Sequence, residues 1–118
     1  LMKAPKVSTQ AIKLLEQLSN AAGVSGDEGQ VREIVLEHIR DAADQIDTDS
    51  LGNLLAVKKG KSRKRLKVML AAHMDEVGFM VQAVTRAGML RIVPLGGFWG
   101  QALPAQRVHP TQPTHPAG

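Results

Sequence analysis

Cysteine is absent from all 118 residues, which excludes a disulfide framework, a thiolate metal site and a cysteine nucleophile. No apolar run approaches the roughly 20 residues that span a bilayer. The start of the chain, Leu1-Met2-Lys3-Ala4-Pro5, does not lead into the continuous apolar core of a signal peptide. A cytoplasmic location, with no membrane partner, is the resulting expectation. No Gly-x-Ser-x-Gly occurs, so the nucleophile elbow of a serine hydrolase is missing. Gly60-Lys61-Ser62 has the ending of a phosphate-binding loop, but the earlier glycine would fall at Leu55 and the motif fails.

What is present fits one domain with a modest core. Hydrophobic content of 43% and charged content of 22% belong to a folded chain rather than a disordered one. The net charge of +4 is local. Lys58, Lys59, Lys61, Arg63, Lys64, Arg65 and Lys67 fall within ten residues, and without them eight basic residues face eleven acidic ones, a net of −3. No aromatic residue stands within this run to stack on bases. It reads as a solvated loop rather than a phosphate-backbone patch, so nucleic acid is not an expected partner.

The pattern along the chain predicts mixed α and β structure, two helices and then about five strands. Ser8 is placed to cap a helix with Ala11, Leu15, Leu18 and Ala22 on one stripe and Gly23 as its stop. Ser25-Gly26-Asp27-Glu28 has the form of a capping box, opening a second helix with Val31, Ile34, Val35, Ile39 and Ala42 on one side. Ile46 and Thr48 then alternate with Asp47 and Asp49, as on a half-exposed strand. Ser50-Leu51-Gly52-Asn53 supplies turn chemistry, and Leu54-Leu55-Ala56-Val57 returns as the second strand of a hairpin. Residues 60–65 read as a polar loop and residues 66–72 as a central strand covered on both faces. Residues 77–84 and 89–93 follow as strands around an Arg86-Ala87-Gly88 turn, and Pro94-Leu95-Gly96-Gly97 ends the sheet signal. Residues 109–118 hold three of the six prolines and no Leu, Ile, Val, Met or Phe. They are expected to be a disordered tail beyond a domain at 1–108.

The stretch Val68-Met69-Leu70-Ala71-Ala72-His73-Met74-Asp75-Glu76-Val77-Gly78-Phe79 carries the chemistry. His73 reads as a metal ligand at the end of a strand, with Asp75 bonding the other ring nitrogen to fix its tautomer. On spacing alone the commoner reading is a histidine that simply caps a strand and bonds a neighbour, since a lone motif of this kind is weak. Glu76 should point opposite to Asp75 on an extended chain and is read as structural. Met69, Met74, Met80 and Met89 are read as core, Trp99 as either cleft lining or packing, and His38 as a surface residue. His109 and His115 are read as incidental.

Taken together, Gly23-Val-Ser25-Gly26-x-Glu28-x-x-Val31-Arg32, Asp49-x-Leu51-Gly52-Asn53-Leu54, Ala72-His73-Met74-Asp75-Glu76-Val77-Gly78-Phe79, Pro94-Leu95-Gly96-Gly97 and Gln106-Arg107-Val108 form an ordered series of blocks. The series, from about Val7 to Val108, resembles the glutamyl aminopeptidase family of tetrahedral, dodecameric metallo-aminopeptidases. The resemblance implies the N-terminal part of a zinc-aminopeptidase-type α/β catalytic domain with an incomplete sheet. It also implies two divalent metal ions per site, zinc or cobalt, acting on a peptide substrate, and a homo-oligomeric assembly. In that family the matching histidine ligates one metal and the matching aspartate orients it, which maps onto His73 and Asp75.

The family's bridging aspartate, pair of glutamates, further aspartate and distant histidine lie downstream of the Gln-Arg-Val block, where this chain changes character. A dinuclear centre needs several ligands and a base within reach of the water. The expectation is therefore a truncated or frameshifted portion of an aminopeptidase, inactive alone. A non-catalytic fragment that docks on full-length subunits is the alternative, as is the activity of relatives that carry an endoglucanase label. A glycosidase would need a placed pair of carboxylates, and no such pair is evident.

Overall fold

A computed structural model describes residues 6–62 and 66–111 of the chain; Arg63, Lys64 and Arg65 of the basic run and the tail from residue 112, with His115, lie outside them. The first helix begins where the serine predicts. Ser8 is the N-cap of α1 (Thr9–Asn20), and its Oγ accepts from the Ala11 N–H at 3.1 Å. This pairs one of the amides that a helix start leaves unbonded. The helix closes on Ala21, two residues before the glycine expected to stop it. Its half-buried leucines are Leu14 and Leu18, whereas Leu15, expected on the buried stripe, is 65% exposed. Leu14, three residues after Ala11 and four before Leu18, fits the same stripe as well as Leu15 does, so periodicity alone could not rank them; packing against the second helix does.

The capping box expected at Ser25 does not form. α2 (Gly29–Ile39) starts after Glu28, and no side chain caps it. Glu28 Oε1 instead accepts from the Gly26 N–H at 2.7 Å, and the Ser25 hydroxyl is turned away from the helix. Val31 of α2 is buried, at 8% exposure, while Ile34, Val35, Leu36 and Ile39 are half-buried. Gly23 is buried against Val31. A Cβ at position 23 would lie 2.8 Å from Val31 Cγ2 and 3.2 Å from the Met74 carbonyl, so only glycine allows the chain to pass there.

Both expected hairpins are present. β1 (Gln45–Thr48) pairs antiparallel with β2 (Leu54–Val57), Gln45 opposite Val57 and Thr48 opposite Leu54. β3 (Gly78–Val84) pairs with β4 (Leu90–Leu95), Gly78 opposite Leu95 and Val84 opposite Leu90, with a shift in register between Val81 and Ala83. The turn between them is closed by Thr85, whose Oγ1 accepts from the Met89 N–H, and by Gly88 at φ +78°. β4 continues through Pro94, past the expected end at Val93. It lies at the edge of a two-stranded sheet, where a residue without an N–H is tolerated.

The fifth strand is missing from the described residues. Residues 66–72 join neither sheet, and Leu66 and Leu70 are 92% and 93% exposed. A central strand exists only through neighbours that accept its hydrogen bonds, and none of the four strands lies beside it. Met69, Met80 and Met89 are likewise exposed rather than core, and so is Trp99, next to a 3-10 turn at Gly100–Ala102. The accessible surface is 11262 Å² and the radius of gyration 19.1 Å. A folded chain of this mass would expose about 6,000 Å² with a radius near ~13 Å. Two helices and two hairpins thus present apolar faces with little to cover them.

Candidate functional site

Three separated stretches meet at the His-x-Asp motif. The connection between α1 and α2 runs beside it: the Glu76 N–H donates to the Gly23 carbonyl at 2.7 Å, and Val24 and Glu76 form a parallel bridge. The β1–β2 turn closes the other side. There Asp49 Oδ1 accepts from the Leu51 and Asn53 N–H groups at 3.0 and 2.8 Å, and Oδ2 from Asn53 Nδ2 at 2.9 Å. These bonds, that of the Asn53 side chain foremost, hold the Asp49 carboxyl below the usual carboxylate range. Arg32 of α2 fastens the turn to the helix, its Nε donating to the Gly52 carbonyl at 2.8 Å, with Glu28 Oε2 4.0 Å from its Nη2. Gly52 sits at φ +85°, and a Cβ there would run into the Arg32 guanidinium. The positive φ is what demands glycine here, since the guanidinium stands at the end of a flexible side chain and can shift.

Between these stretches lies an open cleft of about 140 Å³ lined by Glu28, Gly52, Asn53, Ala72, His73 and Asp75, among others. His73 Nδ1 is 3.0 Å from Asp75 Oδ1 and 2.9 Å from the Asp75 carbonyl oxygen. A carbonyl only accepts, so the ring carries its proton on Nδ1 and, when neutral, keeps its lone pair on Nε2. The His73 side chain is 85% exposed and that of Asp75 41%. Asp75 Oδ2 is taken by the Ser25 hydroxyl at 2.6 Å. This bond first, and the His73 contact after it, hold the Asp75 carboxyl below the usual range.

The other candidates lie elsewhere. Glu76 and His109 line a larger groove along β3 and the Phe79–Phe98 pair, whose rings stack at 4.6 Å. His38 bonds the Ile34 carbonyl within α2 at 2.8 Å. Among the described residues, no three His, Asp or Glu side chains group as a metal would require. The geometry therefore fits one ligand position, a histidine with its rear nitrogen anchored, and not a complete set. Sequence reasoning placed Ser25 in a helix cap and missed its bond to Asp75. The only signal for Ser25, Glu28, Arg32 and Gly52 was that they stood in the same ordered blocks as the histidine.

A mixed α/β unit in which an anchored histidine opens onto a cleft is the class that fold and site define. The family model of M42 glutamyl aminopeptidase matches residues 52–115. The chain is 40% identical over 97 residues to the lysyl aminopeptidase of Pyrococcus furiosus, covering 81% of this chain and 27% of that protein. Among solved structures, it matches an endoglucanase of Thermotoga maritima at TM-score 0.69 and 43% identity, over 76% of this chain and 29% of that one. It also matches the TET1 peptidase of Pyrococcus horikoshii, which can assemble into a tetrahedron or a large octahedral shell, at TM-score 0.65 and 33% identity, over 78% and 27%. The chain belongs to the M42 glutamyl aminopeptidase family. It spans about a quarter of the length of the relatives it matches. No helix among the described residues is long and apolar enough to cross a membrane.

Proposed function

We propose that this chain is the N-terminal portion of a metal-dependent aminopeptidase, in which His73 supplies one ligand to a pair of divalent ions and Asp75 orients it. Zinc or cobalt is the expected metal, peptides the substrate, and a closed homo-oligomer of twelve subunits the working assembly. The supporting observation is the pairing of His73 Nδ1 with the backbone carbonyl and the carboxylate Oδ1 of Asp75, which leaves the Nε2 lone pair of this cleft-lining ring for a metal. In the complete enzyme the metal pair would activate water for attack on the first peptide bond. This chain's part is to hold and aim one imidazole. With one ligand position among the described residues, this portion is inactive alone.

A titration with zinc and cobalt, followed by a peptide-hydrolysis assay, tests the proposal. Weak binding that disappears in His73→Ala, without turnover, is the expected outcome. Stoichiometric binding of two ions with turnover would overturn the claim of inactivity, and binding unchanged in His73→Ala the claim for the ligand.

A second reading, a non-catalytic fragment that docks on full-length subunits, draws support from the exposed run at residues 66–72, which needs a neighbouring strand. The endoglucanase reading finds less. Asp75 is committed to Ser25 and His73, and Glu28 to Gly26 and Arg32, so neither carboxylate near the cleft is free to act in a glycosidase pair.

A further inference from the structure

We infer that Ser25 is a positioning residue for His73, acting through Asp75. The inference rests on the reading of His73 as a metal ligand and extends the anchoring of the ring one residue further back. A carboxylate with two open oxygens can rotate about its terminal bond and offer either one to the imidazole. Here Ser25 Oγ donates to Oδ2 at 2.6 Å while Oδ1 faces His73 Nδ1 at 3.0 Å. Each oxygen then has one partner, and turning the group would break both bonds. The short O–H···O⁻ distance is that of a charge-assisted bond, the stronger kind.

The Asp75 carbonyl, 2.9 Å from His73 Nδ1, is a local hold on the ring, but nothing local to the His-x-Asp motif holds the carboxylate. Ser25 comes from fifty residues upstream and is delivered by the α1–α2 connection. Its neighbour Val24 bridges Glu76, and Gly23 accepts the Glu76 N–H. Backbone pairing therefore sets the two strands of chain side by side, and the serine hydroxyl uses that register to reach across. The same hydroxyl would have capped α2 had it stayed with Glu28, and α2 begins without a side-chain cap. The capping interaction is given up, and the hydroxyl instead fixes the carboxylate that accepts from His73.

The direct readout is the tautomer of His73 in the metal-free 118-residue chain, measured by long-range proton–nitrogen correlation on ¹⁵N-histidine-labelled protein. His73→Ala assigns the signal. The wild-type ring should be the Nδ1–H form. Ser25→Thr, which keeps the hydroxyl, should retain it, and Ser25→Ala should move the ring part of the way toward the Nε2–H form that free histidine favours, the Asp75 carbonyl still accepting from Nδ1–H, with the helical circular dichroism unchanged. The inference is overturned if Ser25→Ala leaves the tautomer as it was, or if Ser25→Thr loses it equally. It is also overturned if the wild-type ring is already in the free-histidine ratio, or if Ser25→Ala loses helix along with tautomer, since Ser25 would then be a folding residue. No metal enters this measurement, so failure of the ligand reading in the titration above gives a different pattern from failure here.

Discussion

The junction around His73 and the apolar run just before it are neighbours in sequence and opposites in structure. From Ala72 to Glu76 the chain is held by directional bonds to residues 23–25 and lies against the β1–β2 turn. From Leu66 to Leu70 its apolar side chains are left open. The difference shows what each kind of interaction needs. Hydrogen bonds and a tight turn can be completed by a few residues placed in register. An apolar face is stabilised only by area removed from water, at about 25 cal/mol per Å², and that requires a partner as large as itself. The polar junction closes within this chain; the apolar run waits for a neighbour.

The contrast predicts where substitutions will be felt. Gly52→Val should be the most damaging, because it forces a β-branched residue to a positive φ and pushes the Arg32 side chain off its bond to the turn. A loss of about 2–3 kcal/mol should appear in denaturant melts followed by circular dichroism; a loss under half that would mean the turn adapts and the junction is looser than described. Arg32→Ala should cost about 1.5–2 kcal/mol, the lower part of the range for a hydrogen bond to a charged group, with Arg32→Lys recovering little because the Gly52 carbonyl is met by Nε.

Acid should reach the junction before it reaches anything apolar. The folded carboxyls of Asp49 and Asp75 titrate below their unfolded values. Their contribution is present above the ordinary aspartate value of about 4 and is lost as pH falls through the lower, folded values. Both groups are open to solvent, so the effect is small. The amide signals of Leu51 and Asn53 should report it, shifting with a midpoint below that of a free aspartate; a midpoint at or above the free value would remove the Asp49 clamp. The smallest effect on stability belongs to the apolar run. Val68→Lys with Leu70→Lys should change it by less than about 0.5 kcal/mol while reducing self-association in sedimentation velocity. A large loss of stability there would show that the run is packed after all.

The same division explains what could be read from sequence. α1, the two hairpins and their turns were legible because Ser8, Asp49, Gly52 and Gly88 act on residues within a few positions of themselves. The strand at 66–72 was not, since its apolar composition states a need for neighbours that the described residues do not meet. Ser25 was misplaced for the opposite reason. Its local partner Glu28 was visible three residues away, while the stronger one, Asp75, was fifty away. The family blocks did hold the residues of the cleft, but their order along the chain says nothing about which oxygen faces which nitrogen.

The way the cleft is assembled also separates it from chain length. Its named bonds run among residues 23–32, 49–53 and 72–76, and β2 already returns the chain to Val57. None of these bonds comes from the stretch between β2 and Ala72, so the site depends on where that stretch ends and not on how long it is. Closing a longer loop between the same two ends costs only about 0.6 kcal/mol for each doubling of its length. An insertion at Gly60, where nothing lies within 4 Å of an added Cβ, is a change this architecture absorbs cheaply, and there a tag or a second module would sit without disturbing the histidine.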